Sequence, residues 1–243
     1  YHPDLIPHLA PIVSPMVAHG RLLKKKYGDD AYVVFVGPCI AKKAEMHEDS
    51  ISDVIDAVVT FRGLLELFLS NSVHFPPGES HPTDAPPEKA RLFPIEGGLI
   101  GTAKMNTDIL DGHLIVASGL RVCNDILEDI RAGTLKAGIV ELLACKGGCV
   151  NGPAMADVPG SSYLARQKII EFNAGRQKDL HIAREDWPDL GRTYRDRKVY
   201  VPEFTDEQIR EVLRRVNKYT KEDELNCGAC GYATCREKAR ATL

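Results

Sequence analysis

A short apolar strand that leads into a glycine-rich loop with two cysteines is the feature that most constrains the fold of this chain. Residues 137–140 form a short apolar run, which predicts a buried strand that extends to residue 143. The following loop contains Cys145 and Cys149, and between them Gly147 and Gly148. These glycines let the backbone fold back and add no side chain beside a bound group. Two neighbouring thiolates suit a soft metal or an iron–sulfur cluster, although two buried, unliganded cysteines are the alternative.

A second predicted strand is also followed by a cysteine. Residues 32–36 are mostly β-branched or aromatic, and Cys39 comes three positions later. In open parallel α/β sheets, ligands bind at the carboxyl ends of the strands. We therefore expect the two cysteine-bearing strand ends to converge on one site. Lys42 and Lys43 would place positive charge beside the thiolates, lower their pKa values and offer donors to an anionic group.

These two stretches resemble the signature motifs of iron-only ([FeFe]) hydrogenases. Residues 37–45, Gly-Pro-Cys-Ile-Ala-Lys-Lys-Ala-Glu, are similar to that family's Pro-Cys-x-x-Lys-x-x-Glu motif. Residues 144–149, Ala-Cys-Lys-Gly-Gly-Cys, resemble its Ala-Cys-x-Gly-Gly-Cys motif. The motifs stand in the family's order, and the resemblance extends over residues 1–160 or so.

The resemblance implies a catalytic group, the H-cluster, in which a 4Fe–4S cube shares a cysteine sulfur with a di-iron unit carrying carbon monoxide and cyanide. By position, Cys39 and Cys145 would ligate the cube, and Cys149 would ligate it and bridge to the di-iron unit. Lys42 would donate to a cyanide ligand. Glu45 belongs to the same motif and is a candidate proton relay, although a helix or ion-pair role would suit it equally.

Paired glycines interrupt a further apolar segment, at Gly97 and Gly98. Beside a strand they could let the backbone approach a cofactor, and a simple turn is the alternative. Residues 95–100 resemble the divergent branch of the family that is proposed to sense hydrogen. Gly37 and Leu143 also stand where the best-studied members have methionine. The resemblance therefore implies a sensory protein with low turnover.

A second cysteine set lies near the C-terminus. Its spacing, Cys-x2-Cys-x4-Cys with interleaved glycines, is typical of cluster binding. Cys227, Cys230 and Cys235 resemble the start of a small 4Fe–4S domain found beside electron-transfer and sensory modules. Zinc is the alternative, because thiolates suit it too. The family's first cube ligand lies in a Cys-Cys-Pro-type motif upstream of the region that resembles residues 1–5. We therefore expect a fragment that lacks one ligand of each cluster.

Composition limits the partners. The formal net charge of −3 implies no nucleic-acid partner and no anionic membrane. No apolar run reaches the length of about 18 residues that spans a bilayer. Six of the seven cysteines stand in clustered sets or at a strand end, which favours metal over disulfides in a chain without a secretory signal. We expect a cytoplasmic protein whose partners are hydrogen, protons, and a redox protein or downstream signalling domain.

Helical periodicity and capping signals predict most of the remaining elements. Residues 4–26 are predicted to be mostly helical, with Ser14 as the cap and Pro15 at the first helical position. Further helices are predicted at residues 61–70, 122–132, 161–175 and 207–219. The expected inward-facing residues are Leu64, Leu65, Phe68, Leu69, Val122, Ile126, Leu127 and Ile130. Residues 181–198 are predicted to be a linker. Its basic residues are predicted to form a solvated face, with a docking site for an acidic partner as the alternative: Arg192, Arg195, Arg197 and Lys198.

Together these patterns predict an α/β fold with two small parallel β-sheets, flanked by helices with a cleft between them, and a small helical iron–sulfur module at the C-terminus. Residues 1–200 would form the hydrogenase-like domain and residues 201–243 the start of the second. The expected function is to bind or reversibly oxidise H2, in a sensory or regulatory role, with electron transfer to the second 4Fe–4S cluster. A non-catalytic electron-transfer or regulatory module without the di-iron unit, and a zinc-stabilised interaction domain, stay open as alternatives.

Overall fold

The computed structural model describes residues 2–74, 90–105, 108, 110, 112–155, 160–174, 183–197 and 202–243. The chain divides into two compact units, residues 2–195 and residues 196–243. The predicted domain boundary between residues 200 and 201 lies outside the described residues. Among the residues described, no helix combines the length and the apolar composition needed to cross a membrane.

The N-terminal part of the first unit contains a 3-10 helix, Pro3–His8, and helix α1, Pro15–Tyr27. The predicted helix over residues 4–26 is therefore two elements. Ser14 occupies the predicted capping position, but its side chain makes no capping hydrogen bond. Pro15 is the first helical residue, as predicted, because its fixed φ suits that position.

The first sheet pairs two parallel strands, β1 (Val34–Gly37) and β2 (Ala57–Thr60). Helix α2 (Ala41–Glu45) lies between them in the chain. Helix α3 (Phe61–Ser70) follows β2 directly, and the Thr60 hydroxyl accepts a hydrogen bond of 3.0 Å from Gly63 N. This confirms the predicted cap. A core of buried residues from α1, from the positions just before α1 and β1, and from the loop before β2 supports this sheet: Val13, Met16, Val17, Val33, Ile51 and Ile55.

The second sheet pairs β3 (Leu114–Ser118) with β4 (Ile139–Leu143), also in parallel. Helix α4 (Gly98–Thr102) precedes β3, α5 (Leu120–Arg131) connects the two strands, and α6 (Ser162–Ala174) follows β4. Residue 175, the predicted end of α6, lies outside the described residues. The two small parallel sheets flanked by helices confirm the predicted fold class.

The second unit contains helix α7 (Asp206–Arg214) and helix α8 (Cys235–Arg240). Thr205 and Gln208 form the predicted capping box at the start of α7. This helix ends five residues before the predicted residue 219. Asn217 adopts a left-handed φ of 58° shortly after it, a conformation that stops a helix.

Three predicted core positions are wrong. Leu65, Leu69 and Val122 are 49%, 70% and 46% exposed. A two-stranded sheet is narrow, so a helix packed on it can bury only part of its apolar stripe. Cys123, which was predicted to be a core residue and no ligand, is indeed buried.

Candidate cluster site

The end of strand β1 positions Cys39. The strand ends at the buried Gly37, and Pro38 and Cys39 follow before helix α2 begins. An added Cβ at residue 37 would lie 2.8 Å from Cε1 of Phe35. The Phe35 ring thus lies against Gly37, and a larger side chain at residue 37 would require this ring to shift.

The loop after strand β4 carries Cys145 and Cys149. Gly147 N donates a hydrogen bond of 2.9 Å to the Ser118 hydroxyl at the end of β3. Gly147 and Gly148 have φ values of 79° and 101°, a region that favours glycine. An added Cβ at residue 148 would lie 2.4 Å from the carbonyl oxygen of Pro94, so backbone packing alone requires glycine there.

The two cysteine-bearing loops are in contact. Residues Cys149–Asn151 form a 3-10 turn, and an added Cβ at Gly152, just after it, would lie 2.8 Å from the carbonyl oxygen of Pro38. The turn that carries Cys149 therefore packs on the residue before Cys39. This contact brings together loops that follow two different sheets.

Electrostatic effects show that the three thiols are neighbours. Burial raises the pKa of the Cys149 thiol, Cys39 and Cys145 raise it further, and Lys42 lowers it without reversing the shift. Burial also raises the pKa of Cys145, with a contribution from Cys39. The lowering of the Cys149 pKa by Lys42 agrees with the expectation from the sequence, but burial outweighs it, so the net pKa of Cys149 is raised. Binding of metal at these thiols must displace protons.

Glu45 holds Lys42 in an ion pair. The Lys42 ammonium donates to Oε2 of Glu45, and Nη1 of Arg192 donates to Oε1 at 2.8 Å. Burial works to raise the pKa of Glu45, but the hydrogen bond and charge of Lys42, with smaller contributions from Ser14 and Arg192, prevail and the net effect lowers it. Glu45 is thus an ion-pair residue in this structure, one of the two roles the sequence allowed. Lys43 is exposed, as predicted.

The buried carboxylate of Glu141 is a residue that the sequence analysis missed. It lies in β4 and is 6% exposed. Its oxygens accept hydrogen bonds from Gly97 N at 3.1 Å and Ile100 N at 3.0 Å, so it holds the glycine pair against the second sheet. The available signal was a single acidic residue in an apolar strand, because buried carboxylates need partners.

The predicted cofactor role of Gly97 and Gly98 stays a prediction, and so does that of Gly147 and Gly148. Gly97 has a left-handed φ of 77°. An added Cβ at residue 98 would lie 1.7 Å from the carbonyl oxygen of Leu92. The fold therefore requires these glycines whether or not a cofactor lies beside them.

The donor set fits an iron–sulfur cluster better than a single ion. Within the described ranges, no three His, Cys, Asp or Glu side chains are close enough together to hold one metal ion. Zinc needs its sulfur ligands at about 2.3 Å from one centre. A 4Fe–4S cube offers a separate iron atom to each thiolate, and so suits thiols that are neighbours without converging on one point.

The C-terminal cysteines lie on a locally supported loop. Cys227 and Cys230 are exposed, and Cys235, the first residue of α8, is partly buried. Cys235 N donates to Oδ1 of Asn226 at 2.8 Å. Thr234 and Glu237 form a complete capping box at the start of α8. The three thiols are thus presented on a preordered turn, open to a ligand.

Two family models match the chain. The model described as iron only hydrogenase large subunit, C-terminal domain, matches residues 1–153. The model described as putative Fe-S cluster matches residues 223–243. The first match includes Cys39, Cys145 and Cys149, and the second includes Cys227, Cys230 and Cys235.

Curated relatives agree with the first match. The chain is 26% identical over 230 residues to the periplasmic [Fe] hydrogenase large subunit of Nitratidesulfovibrio vulgaris, covering 75% of this chain and 54% of the relative. It is 27% identical over 212 residues to the NADP-reducing hydrogenase subunit HndD of Solidesulfovibrio fructosivorans, covering 68% and 36%. It is 25% identical over 222 residues to a probable cytosolic Fe-S cluster assembly factor of Aedes aegypti, covering 70% and 46%. The chain thus spans about half the length of these relatives, or less.

Solved structures share the fold. An [FeFe]-hydrogenase studied for oxygen inactivation of its H cluster has a TM-score of 0.51 at 18% identity, covering 76% of this chain and 65% of that one. A variant of [FeFe]-hydrogenase HydA1 from Chlamydomonas reinhardtii has a TM-score of 0.50 at 18% identity, covering 79% and 64%. With the motifs, the meeting of the cysteine loops and the family match over residues 1–153, the chain belongs to the iron-only hydrogenase large-subunit family.

Proposed function

We propose that the chain holds a 4Fe–4S cube joined to a di-iron unit at Cys39, Cys145 and Cys149, and that it binds or reversibly oxidises H2. The observation that carries the proposal is the contact between the two cysteine-bearing loops, which makes three thiols and the Lys42 ammonium neighbours. When bound, the group would supply the iron at which hydrogen is split heterolytically. The protein would supply the ligands, the donors and the enclosure.

Lys42 is suited to hold an anionic ligand of the di-iron unit. Its ammonium has three donors, and Glu45 accepts one of them. We propose that its remaining donors bind a cyanide nitrogen with a charge-assisted hydrogen bond. Glu45 would orient this lysine and is the nearest candidate on the same helix to receive a proton.

A sensory role with low turnover is the finer part of the proposal. Glycine and leucine at residues 37 and 143 support it, because neither can supply the flexible thioether that methionine places beside the group in the best-studied members. The Phe35 ring lies against Gly37 and takes up space beside it. A sensor needs its bound state to persist, so slow turnover is no handicap.

The second cysteine set would hold a separate 4Fe–4S cluster that passes electrons on. Cys227 and Cys230 are exposed, which favours exchange of electrons with a partner, either a redox protein or a downstream signalling domain. We propose a cytoplasmic setting for this exchange, since free thiols persist in reducing compartments.

A second candidate function is a non-catalytic iron–sulfur module that keeps the cube and lacks the di-iron unit. The similarity to a probable cytosolic Fe-S cluster assembly factor supports this second function, because that relative is not named as a hydrogenase. A zinc-stabilised domain is the third. It would need sulfur ligands round one ion, which the described residues do not provide in this structure.

Infrared spectroscopy of the full-length, matured protein distinguishes the three. Carbon monoxide and cyanide stretching bands support the proposal. Iron analysis should then give about ten iron atoms per chain, eight from the two cubes and two from the di-iron unit. Cube signals without these bands support the module that lacks the di-iron unit. Colourless protein that contains zinc contradicts both.

A further inference from the structure

A segment late in the first unit pairs with the residues that precede α1. Residues 188–194, which we call the strap, pair with residues 11–13. Gly191 forms an antiparallel bridge with Ile12, Leu190 O accepts from Val13 N at 2.9 Å, and Arg192 N donates to Pro11 O at 3.1 Å. These backbone hydrogen bonds fix the position of the strap independently of its side chains.

The strap places Arg192 against the helix that follows Cys39. Nη1 of Arg192 donates to Glu45 at 2.8 Å, and Nη2 donates to Glu48. The Arg192 side chain is only 8% exposed, and its guanidinium lies 4.7 Å from the ring centroid of Tyr194. The prediction that Arg192 belongs to a solvated basic face is therefore wrong. Arg195, three positions later, is exposed as predicted.

Arg192 and Lys42 share one carboxylate. Arg192 binds Oε1 of Glu45, and Lys42 binds Oε2. A guanidinium donates from a rigid planar fork, and Arg192 uses one arm for Glu45 and the other for Glu48. The Glu45 carboxylate is therefore held between Arg192 at Oε1 and Lys42 at Oε2, which restricts the direction from which Lys42 approaches it.

We propose that Arg192 is a positioning residue, which orients Lys42 toward the cluster through the shared carboxylate of Glu45. The proposal rests on the proposed function, since it assigns Lys42 to the di-iron unit. Without Arg192, Glu45 keeps Lys42 as its partner but loses the contact that sets its rotamer. The ammonium then follows a mobile carboxylate, and its remaining donors no longer point in one direction.

Amide hydrogen exchange on this chain without cluster tests the first step. The reporters are Met46, His47 and Glu48, whose amides donate to the carbonyls of Lys42, Ala44 and Glu45. We expect Arg192→Gln to speed their exchange about tenfold, because two charge-assisted hydrogen bonds to this helix and the turn after it are lost. Arg195→Gln removes the same charge from the same segment and should leave these amides unchanged. Equal rates in both variants would overturn the proposal.

The infrared spectrum of matured, full-length protein tests the second step. In Arg192→Gln the cyanide stretching bands should shift or broaden, while the iron content of the cubes stays at the level of the Arg195→Gln control. Arg192→Lys keeps the charge but cannot bind both carboxylates in a fixed plane, so its bands should lie between those of the other two. A general loss of stability would lower all bands together and would not move them.

The outcomes separate the two proposals. Unshifted cyanide bands in Arg192→Gln contradict the positioning role even if the helix exchanges faster. Absence of cyanide bands in the unsubstituted protein contradicts the proposed function and the Lys42 step with it. The exchange data then decide alone whether Arg192 orders the helix.

Discussion

Cys39, Cys145 and Cys149 are held by residues distant in sequence, whereas Cys227, Cys230 and Cys235 are held by neighbours. Gly147 beside Cys149 is anchored by Ser118, 29 positions away, and Glu45 is bound by Arg192, 147 positions away. Cys235 is anchored by Asn226, nine positions away. The first site thus depends on segments from across the first unit, whereas the second depends on its own turn, on α8 and on the α7 residues that α8 packs against, Ile209, Val212 and Leu213.

Because of this difference, substitutions should damage the two sites in different ways. A change that disturbs packing in the first unit should damage the first site at a distance. The same kind of change near the C-terminal loop should act only locally. The following predictions use matched pairs of substitutions to challenge that contrast, beginning with the largest expected effect.

Loss of a ligand should have the largest effect and should be confined to one site. Cys149→Ser in full-length protein should abolish the infrared bands of the di-iron unit, because this residue is proposed to bridge the cube and that unit. Cys230→Ser should remove one cube and leave these bands in place, while electron transfer to an external acceptor falls. Iron analysis and infrared spectra check both variants. If Cys230→Ser removes the di-iron bands from correctly folded protein, the two sites act as one.

Alanine at a glycine should cost far more in the first site than in the second. Gly148→Ala would add a Cβ 2.4 Å from the Pro94 carbonyl oxygen at a φ of 101°, and we expect a loss of about 3 kcal/mol or more in unfolding free energy. Gly228 also has a positive φ, 73°, but nothing lies within 4 Å of the added Cβ. Gly228→Ala should therefore cost about 1–2 kcal/mol. Urea denaturation measures both, and equal losses would mean that packing around Gly148 yields easily.

Neighbouring lysines should differ in their effect on the di-iron unit. Lys42→Ala should weaken its retention by about 1.5–3 kcal/mol, the value of a hydrogen bond to a charged group, and leave the cube in place. Lys43 is exposed, so Lys43→Ala should have little effect. The ratio of infrared intensity to cube iron compares the two variants. Equal losses in both would indicate that only the general positive charge matters.

Loss of a helix cap should have the smallest effect, and only one of two equivalent caps should influence a cluster. Thr234→Ala and Thr205→Ala each break a capping box in the second unit, and each should cost about 1 kcal/mol of stability. Only the Thr234 helix begins at a cysteine, Cys235. Release of iron to a chelator should therefore be faster in Thr234→Ala alone. The same release rate in Thr205→Ala would show that the loop depends on the whole unit.

Local signals predicted most elements correctly. Helix α3 has the predicted bounds, because Thr60 caps its first turn by accepting a hydrogen bond from Gly63 N. The capping box at Thr205 is equally local. The sequence carries the same signal for α8, since Thr234 and Glu237 have the same spacing as Thr205 and Gln208.

Burial was predicted less well than helix position. Leu65 and Leu69 lie on the apolar stripe of α3 and are nevertheless exposed. Periodicity shows which side of a helix is apolar, but the width of the surface that covers it is a property of the sheet. A sheet of two strands is too narrow to cover the whole stripe.

The sequence by itself determined the cysteine motifs, the strand ends that carry them and the helices that flank them. These features depend on residues a few positions apart, for which spacing and capping are sufficient. Only the tertiary structure decided that Glu141 holds Gly97 and Ile100, 44 and 41 positions away, and that Arg192 binds Glu45 and Glu48, 147 and 144 positions away. The reason is physical: a buried charge needs a partner, but its identity depends on which segments the fold brings into contact.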